Sequence, residues 1–355
     1  MTKARSRQTD QLVIHGALDL PSVKIDSYNL ELRDKDGFIG DRATKGAFAE
    51  KLDELRKRLR KVGSDPLGRL STKELGKKEL DTLLTKGDAD AAAAVHGAIE
   101  AFAQDLAEVI RRFLRTDGWK GTERIVAGGG FRESRIGELA IARAGTLLKT
   151  EGIAIDLVPI RHHPDEAGLI GALHLMPVWM LTGHDAMLAV DIGGSNIRAG
   201  LVAMNLGKAP DLSKAAVVKS ELWRHAEEEP SRTAAVERLV AMLQRLIATA
   251  GEQKLVLAPL IGIGCPGRIE ADGSISRGGQ NLPGGNWESG PFNLPKALVT
   301  AIPAIAEQQT MVVMHNDAVV QGLSEVPVMQ DVKRWAAVTI GTGLGNASYG
   351  NKSPS

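Results

Sequence analysis

Cysteine is almost absent from this 355-residue chain, which contains Cys265 and no other. A single thiol excludes an internal disulfide and any zinc site built from several cysteines. We expect Cys265 to be a small buried residue rather than a nucleophile.

An excess of charge of either sign is also missing. The chain has 44 Lys and Arg against 43 Asp and Glu, a net charge of +1, which gives no general attraction to nucleic acid or to an anionic membrane. No apolar run reaches the roughly 18 residues of a membrane span. The basic start, MTKARSR, has no apolar run behind it and is not a signal peptide. We therefore expect a soluble cytoplasmic protein without nucleic-acid or membrane partners.

Two common nucleotide-binding sequences are missing as well. GTGLGN at 341–346 lacks the third glycine of the dinucleotide fingerprint G-x-G-x-x-G, and no Walker A sequence occurs. If the chain binds phosphate, it does so with another architecture.

What is present is organised around the stretch 188–202, LAVDIGGSNIRAGLV. An apolar strand reaches Asp191, a turn follows at 193–195, and a second apolar stretch leads back. We expect the two glycines to let the backbone bend where a side chain would clash, and to leave N–H groups free for a phosphate. Asp191 is placed to hold a hydrated divalent cation that a nucleotide brings. An ordinary hairpin with a D-x-G-G turn is the alternative.

Strands alternate with helices along most of the chain, so the fold class is α/β. The length indicates about two domains, and 43% hydrophobic residues are enough for a core. Small residues at 168, 171 and 172 should permit close packing of one helix. Apolar spacing predicts helices over 44–61, 71–84, 89–114, 135–148, 164–175, 230–250 and 318–325, and strands near 12–14, 23–32, 123–126, 153–159, 188–190, 197–202, 211–223, 255–264, 311–314 and 335–340.

Four glycine-bearing turns and one carboxylate turn follow predicted strands: AGGGF at 127–131, DIGGS at 191–195, GCPG at 264–267, HND at 315–317 and GTGLG at 341–345. The carboxyl ends of strands are where ligands bind in open α/β sheets. A long irregular segment, 271–295, is typical of a binding loop. The pattern predicts a ligand cleft fed by several strand ends.

These motifs resemble the ROK family of sugar kinases and repressors, within the actin-like ATPase superfamily. In one block, about 187–350, DIGGSNIRAGLV and IGTGLGNA resemble the two phosphate motifs, while GIGCPG, QNLPGGNW and HNDAVV resemble the sugar-site sequence. In a second block, about 86–176, KGDADAAAAV, IVAGGGF and DEAGLIGAL resemble the adenosine-side region.

The two blocks stand in the reverse of the family's order, which looks like a circular permutation. The resemblance implies a two-domain actin-like (ribonuclease H-like) fold with a nucleotide and sugar cleft between domains. We expect residues 1–180 plus about 333–355 to form the nucleotide-side domain and 186–332 the sugar-side domain, joined through 181–185. A swapped dimer is the rival arrangement, and a homodimer is an open possibility.

Two family features are missing. The Glu-x-Gly-His sugar motif has at most a faint echo at 14–16, and the zinc cysteines are replaced by RDKDGFIGDR at 33–42. We expect no zinc site, with packing and hydrogen bonds ordering this segment.

The resemblance implies phosphoryl transfer from ATP, with Mg²⁺, to a hydroxyl of a small-molecule sugar, as in a glucokinase. Asp317 would be the general base, and Asp191 would hold Mg²⁺ through water. The implied substrate contacts are Asn281, Asn316 and Gly267. The implied nucleotide and phosphate contacts are Gly128, Gly129, Gly130, Gly193, Gly194, Ser195, Gly341, Thr342 and Gly343.

Simpler interpretations remain open at this stage. Asn316 and Asp317 could only cap the following helix, and Asn281 could only shape a turn. The pair His162-His163 could suggest a metal, but no third ligand follows at a fitting spacing, and a surface or loop pair is the favoured interpretation. At the level of function, a non-catalytic sugar or nucleotide binder and a sugar-responsive regulator are the alternatives. The regulator would need a DNA-binding helix-turn-helix, which residues 1–43 do not resemble.

Overall fold

The structure, a computed structural model, describes residues 14–352. The basic start, most of the apolar run at 12–14 and the last three residues lie outside this range. The strands are β1 (Val23–Tyr28), β2 (Arg33–Asp34), β3 (Gly37–Phe38), β4 (Arg124–Gly128), β5 (Asp156–Pro159), β6 (Ala186–Ile192), β7 (Ile197–Ala203), β8 (Ala216–Trp223), β9 (Leu257–Cys265), β10 (Arg268–Ile269), β11 (Ile275–Arg277), β12 (Ala304–Ile305), β13 (Gln308–Gln309), β14 (Met311–Asn316), β15 (Arg334–Ile340) and β16 (Leu344–Asn351).

The α-helices are α1 (Lys45–Val62), α2 (Lys77–Lys86), α3 (Ala89–Leu114), α4 (Arg135–Thr150), α5 (Pro164–Gly171), α6 (Val178–Leu181), α7 (Arg232–Glu252), α8 (Leu294–Ala301) and α9 (Asp317–Leu323). Within residues 14–352, none of them is long and apolar enough to cross a membrane.

Backbone contacts divide the chain into two units. The first comprises residues up to 29, 161–331 and 349 onward, and the second comprises 30–160 and 332–348. Both boundaries differ from those expected from the sequence, because 14–29 and 161–180 belong to the first unit together with 186–331.

The first unit contains a sheet in the order β14-β9-β6-β7-β8. Strands β6, β7 and β8 pair antiparallel in succession, while β9 pairs parallel with β6 and β14 pairs parallel with β9. Every residue of β6 is buried, as in a strand covered on both faces. The parallel strands place Asp191, Cys265 and Asn316 at one edge, since their carboxyl ends lie together.

Helix α7 packs on this sheet through buried residues such as Leu239 and Leu243. Helices α5 and α9 pack against each other with very close backbones. A Cβ added at Gly171 would lie 1.7 Å from the carbonyl oxygen of Val320, and one at Gly262 would lie 2.9 Å from the Cβ of Ala172. The predicted close packing at the small residues of α5 is therefore confirmed.

The second unit is built around α3, whose predicted bounds match the observed helix. Its apolar stripe is buried as expected, and the rings of Phe48, Phe102 and Phe131 meet at its centre with centroid distances of 4.8 to 6.0 Å. Strand β15 pairs parallel with β4, and β4 with β5. Helix α4 packs against α3 and β5.

The two five-stranded sheets have the same spatial arrangement of strands if β15 of the second sheet is matched to β6 of the first. The first sheet runs β8-β7-β6-β9-β14, and the second runs β1-β16-β15-β4-β5. In each, a hairpin (β6–β7 or β15–β16) lies at the centre and its first strand contacts a parallel strand. In the second sheet, the strand beyond the hairpin is β1, from the opposite end of the chain. Residues of β16 from Tyr349 onward, and β1, are counted with the first unit.

Some predicted elements end elsewhere. The helix expected over 71–84 begins only at Lys77, and the helix expected over 164–175 is α-helical to Gly171 and then continues as a 3₁₀ turn. Residues 33–42 form the β2–β3 hairpin. There the guanidinium of Arg42 contacts Asp34 at 2.6 Å, and that of Arg33 lies 3.6 Å from the ring centroid of Phe38.

Candidate active site

Asp191 lies near the end of β6 and is only 2% exposed. One carboxylate oxygen, Oδ2, lies 3.5 Å from Nη1 of Arg198, and the other, Oδ1, has no hydrogen-bond partner. Burial raises the pKa of Asp191, and the charge of Arg198 opposes that rise. A buried carboxylate oxygen without a protein donor can accept a proton or bind a cation.

Helix α5 reaches Asp191 through a glycine. A Cβ added at Gly168 would lie 2.5 Å from Cγ of Asp191, so any larger residue would displace the carboxylate or the helix. One turn earlier, Asp165 accepts a hydrogen bond from Nε of Arg198 at 2.7 Å. Arg198 therefore bridges the half-buried Asp165 and the buried Asp191.

Asp317 is the first residue of α9, directly after β14. Burial, followed by the nearby charge of Asp191, raises the pKa of Asp317 to about 7. The negative charge of Asp191 therefore disfavours the ionised form of Asp317. The Cys265 thiol is fully buried, and its pKa is raised by burial and then by the two aspartates. As expected, it is a buried thiol and not an activated nucleophile.

Asn316 caps α9. Its Oδ1 accepts hydrogen bonds from the N–H groups of Ala318 and Val319, at 3.0 and 3.3 Å, and its Nδ2 donates to the carbonyl of Gly267 at 3.0 Å. Asn316 is thus the N-cap of α9. Its sugar contact stays a prediction, which would use the second N–H of the amide.

Gly267 requires its glycine for a structural reason. Its φ is +101°, and an added Cβ would lie 2.5 Å from the carbonyl oxygen of Arg277. Together with the hydrogen bond from Asn316, this fixes the turn after β9 against the turn after β14. Its proposed substrate contact is untested.

The loop at 193–196 joins β6 to β7 and differs in detail from our expectation. The N–H of Gly193 donates to the carbonyl of Asn196 at 2.8 Å and is not free for a phosphate. A Cβ at Gly193 would meet nothing closer than 3.6 Å, so the expected clash at this glycine is absent. Gly194 and Ser195 form the tip of the loop. Two further hydrogen bonds hold it, from His225 Nε2 to the Gly193 carbonyl at 2.9 Å and from the Ala226 N–H to the Ser195 carbonyl at 3.2 Å.

Sequence reasoning missed His225. No motif surrounds it, and it follows an edge strand in the sequence LWRHAEEE. A buried histidine at the end of a polar strand is a weak signal, and only the fold brings it to the loop.

A pocket of about 340 Å³ adjoins the loop tip. Asn281 lines it and is exposed, so the predicted substrate residue is accessible. Glu229 also lines it and adopts a left-handed backbone conformation with φ of +47°, which is unfavourable for a residue with a side chain. The lining residues are Gly194, His225, Ala226, Glu229, Pro230, Asn281, Pro283 and Gly284.

The glycine turns of the second unit lie side by side at the ends of β4 and β15. Gly129 has φ of +83°, and a Cβ there would lie 2.5 Å from the carbonyl oxygen of Ile340. The next residue, Gly341, donates its N–H to the Gly343 carbonyl at 3.0 Å and accepts from the N–H of Lys45 at 3.0 Å. The predicted adenosine turn, 128–130, and the predicted second phosphate turn, 341–343, are thus brought together.

The histidines singled out from the sequence have structural partners. Nδ1 of His163 accepts from the Asp165 N–H at 3.2 Å as the cap of α5, and burial lowers the pKa of His162. At the start of the described chain, Nδ1 of His15 accepts from the Met314 N–H at 3.1 Å. The faint echo at 14–16 is therefore anchored on β14, two residues before Asn316.

No protein-family model and no curated protein matches the chain. Among solved structures, a ROK hexokinase from Thermus thermophilus aligns at 21% identity over 38% of this chain and 35% of its own, with a TM-score of 0.27. A protein from Listeria monocytogenes, described as a candidate N-acetylmannosamine kinase, aligns at 21% identity over 47% of each chain, with a TM-score of 0.32. A protein from Cytophaga hutchinsonii, described as a candidate sugar kinase, aligns at 17% identity over 46% of this chain and 47% of its own, with a TM-score of 0.31. The chain spans less than half of the length of these relatives, and the low scores add no weight to any assignment of function.

Proposed function

We propose that the protein transfers a phosphoryl group from ATP to a hydroxyl of a sugar, with Asp317 as the general base. The observation that carries this proposal is the placing of Asp317 and Asp191 at the carboxyl ends of β14 and β6, which both pair parallel with β9. Burial and the neighbouring Asp191 also raise the pKa of Asp317 to about 7. A base with a pKa near the working pH is suited to accept a hydroxyl proton as the oxygen attacks phosphorus.

Asp191 fits a role in holding Mg²⁺. Its Oδ1 has no hydrogen-bond partner, and carboxylate oxygen is a ligand that Mg²⁺ favours. The side chain of Gln321, which hydrogen-bonds to Asp191, also has a buried oxygen without a partner. When bound with ATP, the ion supplies positive charge for the phosphates. Arg198, through its contact with Asp191, keeps the carboxylate oriented.

The loop tip, Gly194 and Ser195, is proposed to contact phosphates of the nucleotide. In the second unit, the turns 128–130 and 341–343 are proposed to contact adenosine and phosphates, because both present backbone at the carboxyl ends of neighbouring parallel strands. Gly193 contributes its carbonyl to holding the loop rather than its N–H to the ligand.

The sugar is proposed to lie with its reacting hydroxyl within hydrogen-bond reach of Asp317 and with another part in the pocket beside the loop tip, where Asn281 is a hydrogen-bonding residue. A volume of about 340 Å³ is large enough for a small ligand. Glu229 is the one acidic side chain that lines it. A carboxylate accepts hydroxyl hydrogens and repels anions, so neutral sugars such as hexoses are the favoured class and uronic acids or sugar phosphates the disfavoured one.

Circular permutation is proposed to explain the order of the motifs. It is supported by the common strand order of the two sheets and by the closeness of the chain's two described ends. The N–H of Lys352 donates to the Ser22 carbonyl at 3.2 Å, and the Lys352 ammonium lies 2.6 Å from Asp19. Permutation requires old and new ends to be near neighbours at the surface.

ADP release measured over a panel of hexoses, amino sugars, N-acetyl sugars and uronic acids tests the activity. We expect sugar-dependent release with at least one neutral sugar, and none with uronic acids. Binding of ATP and sugar without any release would favour a non-catalytic binding protein instead.

A further inference from the structure

The loop at 193–196 is held from one side by the residues that follow β8. Nε2 of His225 lies 2.9 Å from the Gly193 carbonyl oxygen, and the Ala226 N–H donates to the Ser195 carbonyl at 3.2 Å. Because a carbonyl oxygen can only accept, Nε2 of His225 must carry the proton in this contact.

The imidazole of His225 is itself fixed in place. It is 3% exposed and packs edge-on against Trp223, with centroids 5.9 Å apart and an interplanar angle of 65°. Its backbone carbonyl accepts from the N–H groups of Glu228 and Glu229. A side chain held by packing and backbone bonds loses little entropy when it holds the loop.

These contacts act on the acceptors of the loop. The carbonyl oxygens of Gly193, Ser195 and Asn196 are each bonded, to His225, Ala226 and Gly193 respectively. A phosphate is attracted by backbone N–H groups and repelled by carbonyl oxygens. Because these three carbonyl oxygens accept hydrogen bonds from protein donors, they are directed away from an anion at the loop.

We propose that His225 is a positioning residue, whose Nε2–H holds the loop carbonyls away from the nucleotide phosphates and fixes the loop tip for phosphate binding. This inference rests on the proposed phosphotransferase function, since it assigns the phosphate to that loop. It adds a residue that belongs to none of the sequence motifs.

Two similar amides separate this role from simple packing. In His225→Gln the side-chain amide reaches about as far as Nε2 and keeps a donor there, whereas in His225→Asn it reaches only about as far as Nδ1. Both variants are polar and uncharged. If His225 acts through its Nε2–H, the glutamine variant retains the function and the asparagine variant loses it.

Initial rates with a sugar that the wild type phosphorylates test the kinetic consequence. We expect His225→Asn to raise KM for ATP or lower kcat by about 10- to 100-fold in all, as for misplaced binding groups. His225→Gln should stay within about 3-fold of wild type. Equal losses in both variants, or a loss confined to the KM for the sugar, would overturn the proposal.

Hydrogen exchange at the amides of Gly193 and Ala226, which donate to carbonyls of the loop, gives a readout that needs no activity. We expect these two amides to exchange about 10-fold faster in His225→Asn, measured below its melting temperature, and at the wild-type rate in His225→Gln. If the wild type phosphorylates no sugar, the proposed function fails, and exchange still decides whether His225 holds the loop. Unchanged exchange in the asparagine variant would refute the role of His225 even in an active kinase.

Discussion

Asp317 shows how a single residue acquires unusual chemistry from its position. It begins a helix, where a carboxylate is ordinarily stabilised by the helix dipole. Burial and the neighbouring Asp191 outweigh that effect and raise its pKa to about 7. At neutral pH the side chain is therefore poised between its acid and base forms.

The pH dependence of the rate follows from this pKa. A general base works only when it is deprotonated, so we expect kcat/KM to rise with pH and level off above an apparent pKa near 7. With ATP and sugar both well below saturation, the rate reports the groups of the free enzyme. A rate that is constant from pH 5 to pH 9 would exclude Asp317 as the base.

The same pKa carries a cost in stability, with a definite sign. The folded pKa lies above the ordinary value of 3.8, so the folded state holds a proton that the unfolded state releases between about pH 4 and 7. The contribution of Asp317 to stability therefore falls as pH rises through that window.

The side chain in Asp317→Asn does not titrate. We expect this variant to be no more stable than wild type near pH 4, and its free energy of unfolding relative to wild type to increase progressively up to pH 7. The difference between 3.8 and about 7 sets an upper limit of about 4 kcal/mol on that gain. Urea unfolding of both proteins at a series of pH values measures it. A gain that is constant with pH would contradict the shifted pKa.

At the scale of elements, the helices and most strands could be predicted because their apolar spacing is regular. α3 has a continuous stripe, and its sequence bounds match the structure. The helix expected over 71–84 begins late because Ser71–Gly76 is a turn, in which the Glu74 carboxylate accepts from the N–H of Ser71. Local polar bonds of this kind compete with helix formation and do not alter the apolar spacing.

The site was predictable only where a residue's role is local. Asp191, Asn316 and Asp317 could be located at strand ends, because each directly follows or ends an apolar run. His225 could not, since its contact with Gly193 depends on how β8 and its following turn return to the β6–β7 loop. The prediction that a side chain at Gly193 would clash was also wrong. The space around a backbone atom depends on the packed structure and cannot be read from the local sequence.

Helix α5 lies close to Asp191 because Gly168 has no side chain. We expect Gly168→Ala to destabilise the protein by about 1–3 kcal/mol, as for overpacked sites, and to lower activity by displacing Asp191. Thermal unfolding and initial rates measure the two effects. Gly251→Ala in α7 is the control, because a Cβ there meets nothing within 4 Å. Equal, small effects in both variants would show that α5 does not constrain Asp191.

At the scale of the whole molecule, the order of the motifs along the chain must be distinguished from the order of the strands within the sheets. The motifs stand in the order that the proposed permutation explains, and the two sheets share one spatial order. Core contacts depend on which strands are neighbours and not on where the chain begins. A permuted chain can therefore keep the packing of its parent.

A chain re-ordered to run from 186 through 352, then by a short flexible linker to 14 through 181, tests this directly. Its new ends fall at 182–185, where Thr182 and Gly183 are exposed. We expect the re-ordered chain to fold cooperatively, with the far-ultraviolet circular dichroism spectrum and the activity of the present chain. Failure of the re-ordered chain to fold, while the present chain refolds under the same conditions, would count against the permutation.

Formation of a sugar phosphate tests most directly whether Asp317 is the general base for phosphoryl transfer to a sugar hydroxyl. The product is measured by phosphorus magnetic resonance for wild type, Asp317→Asn and the control Asp211→Asn, a substitution in the segment between β7 and β8. We expect a sugar phosphate from wild type and from the control, and a rate about 10²- to 10⁴-fold lower from Asp317→Asn. A sugar phosphate formed by Asp317→Asn at the wild-type rate would contradict this role of Asp317.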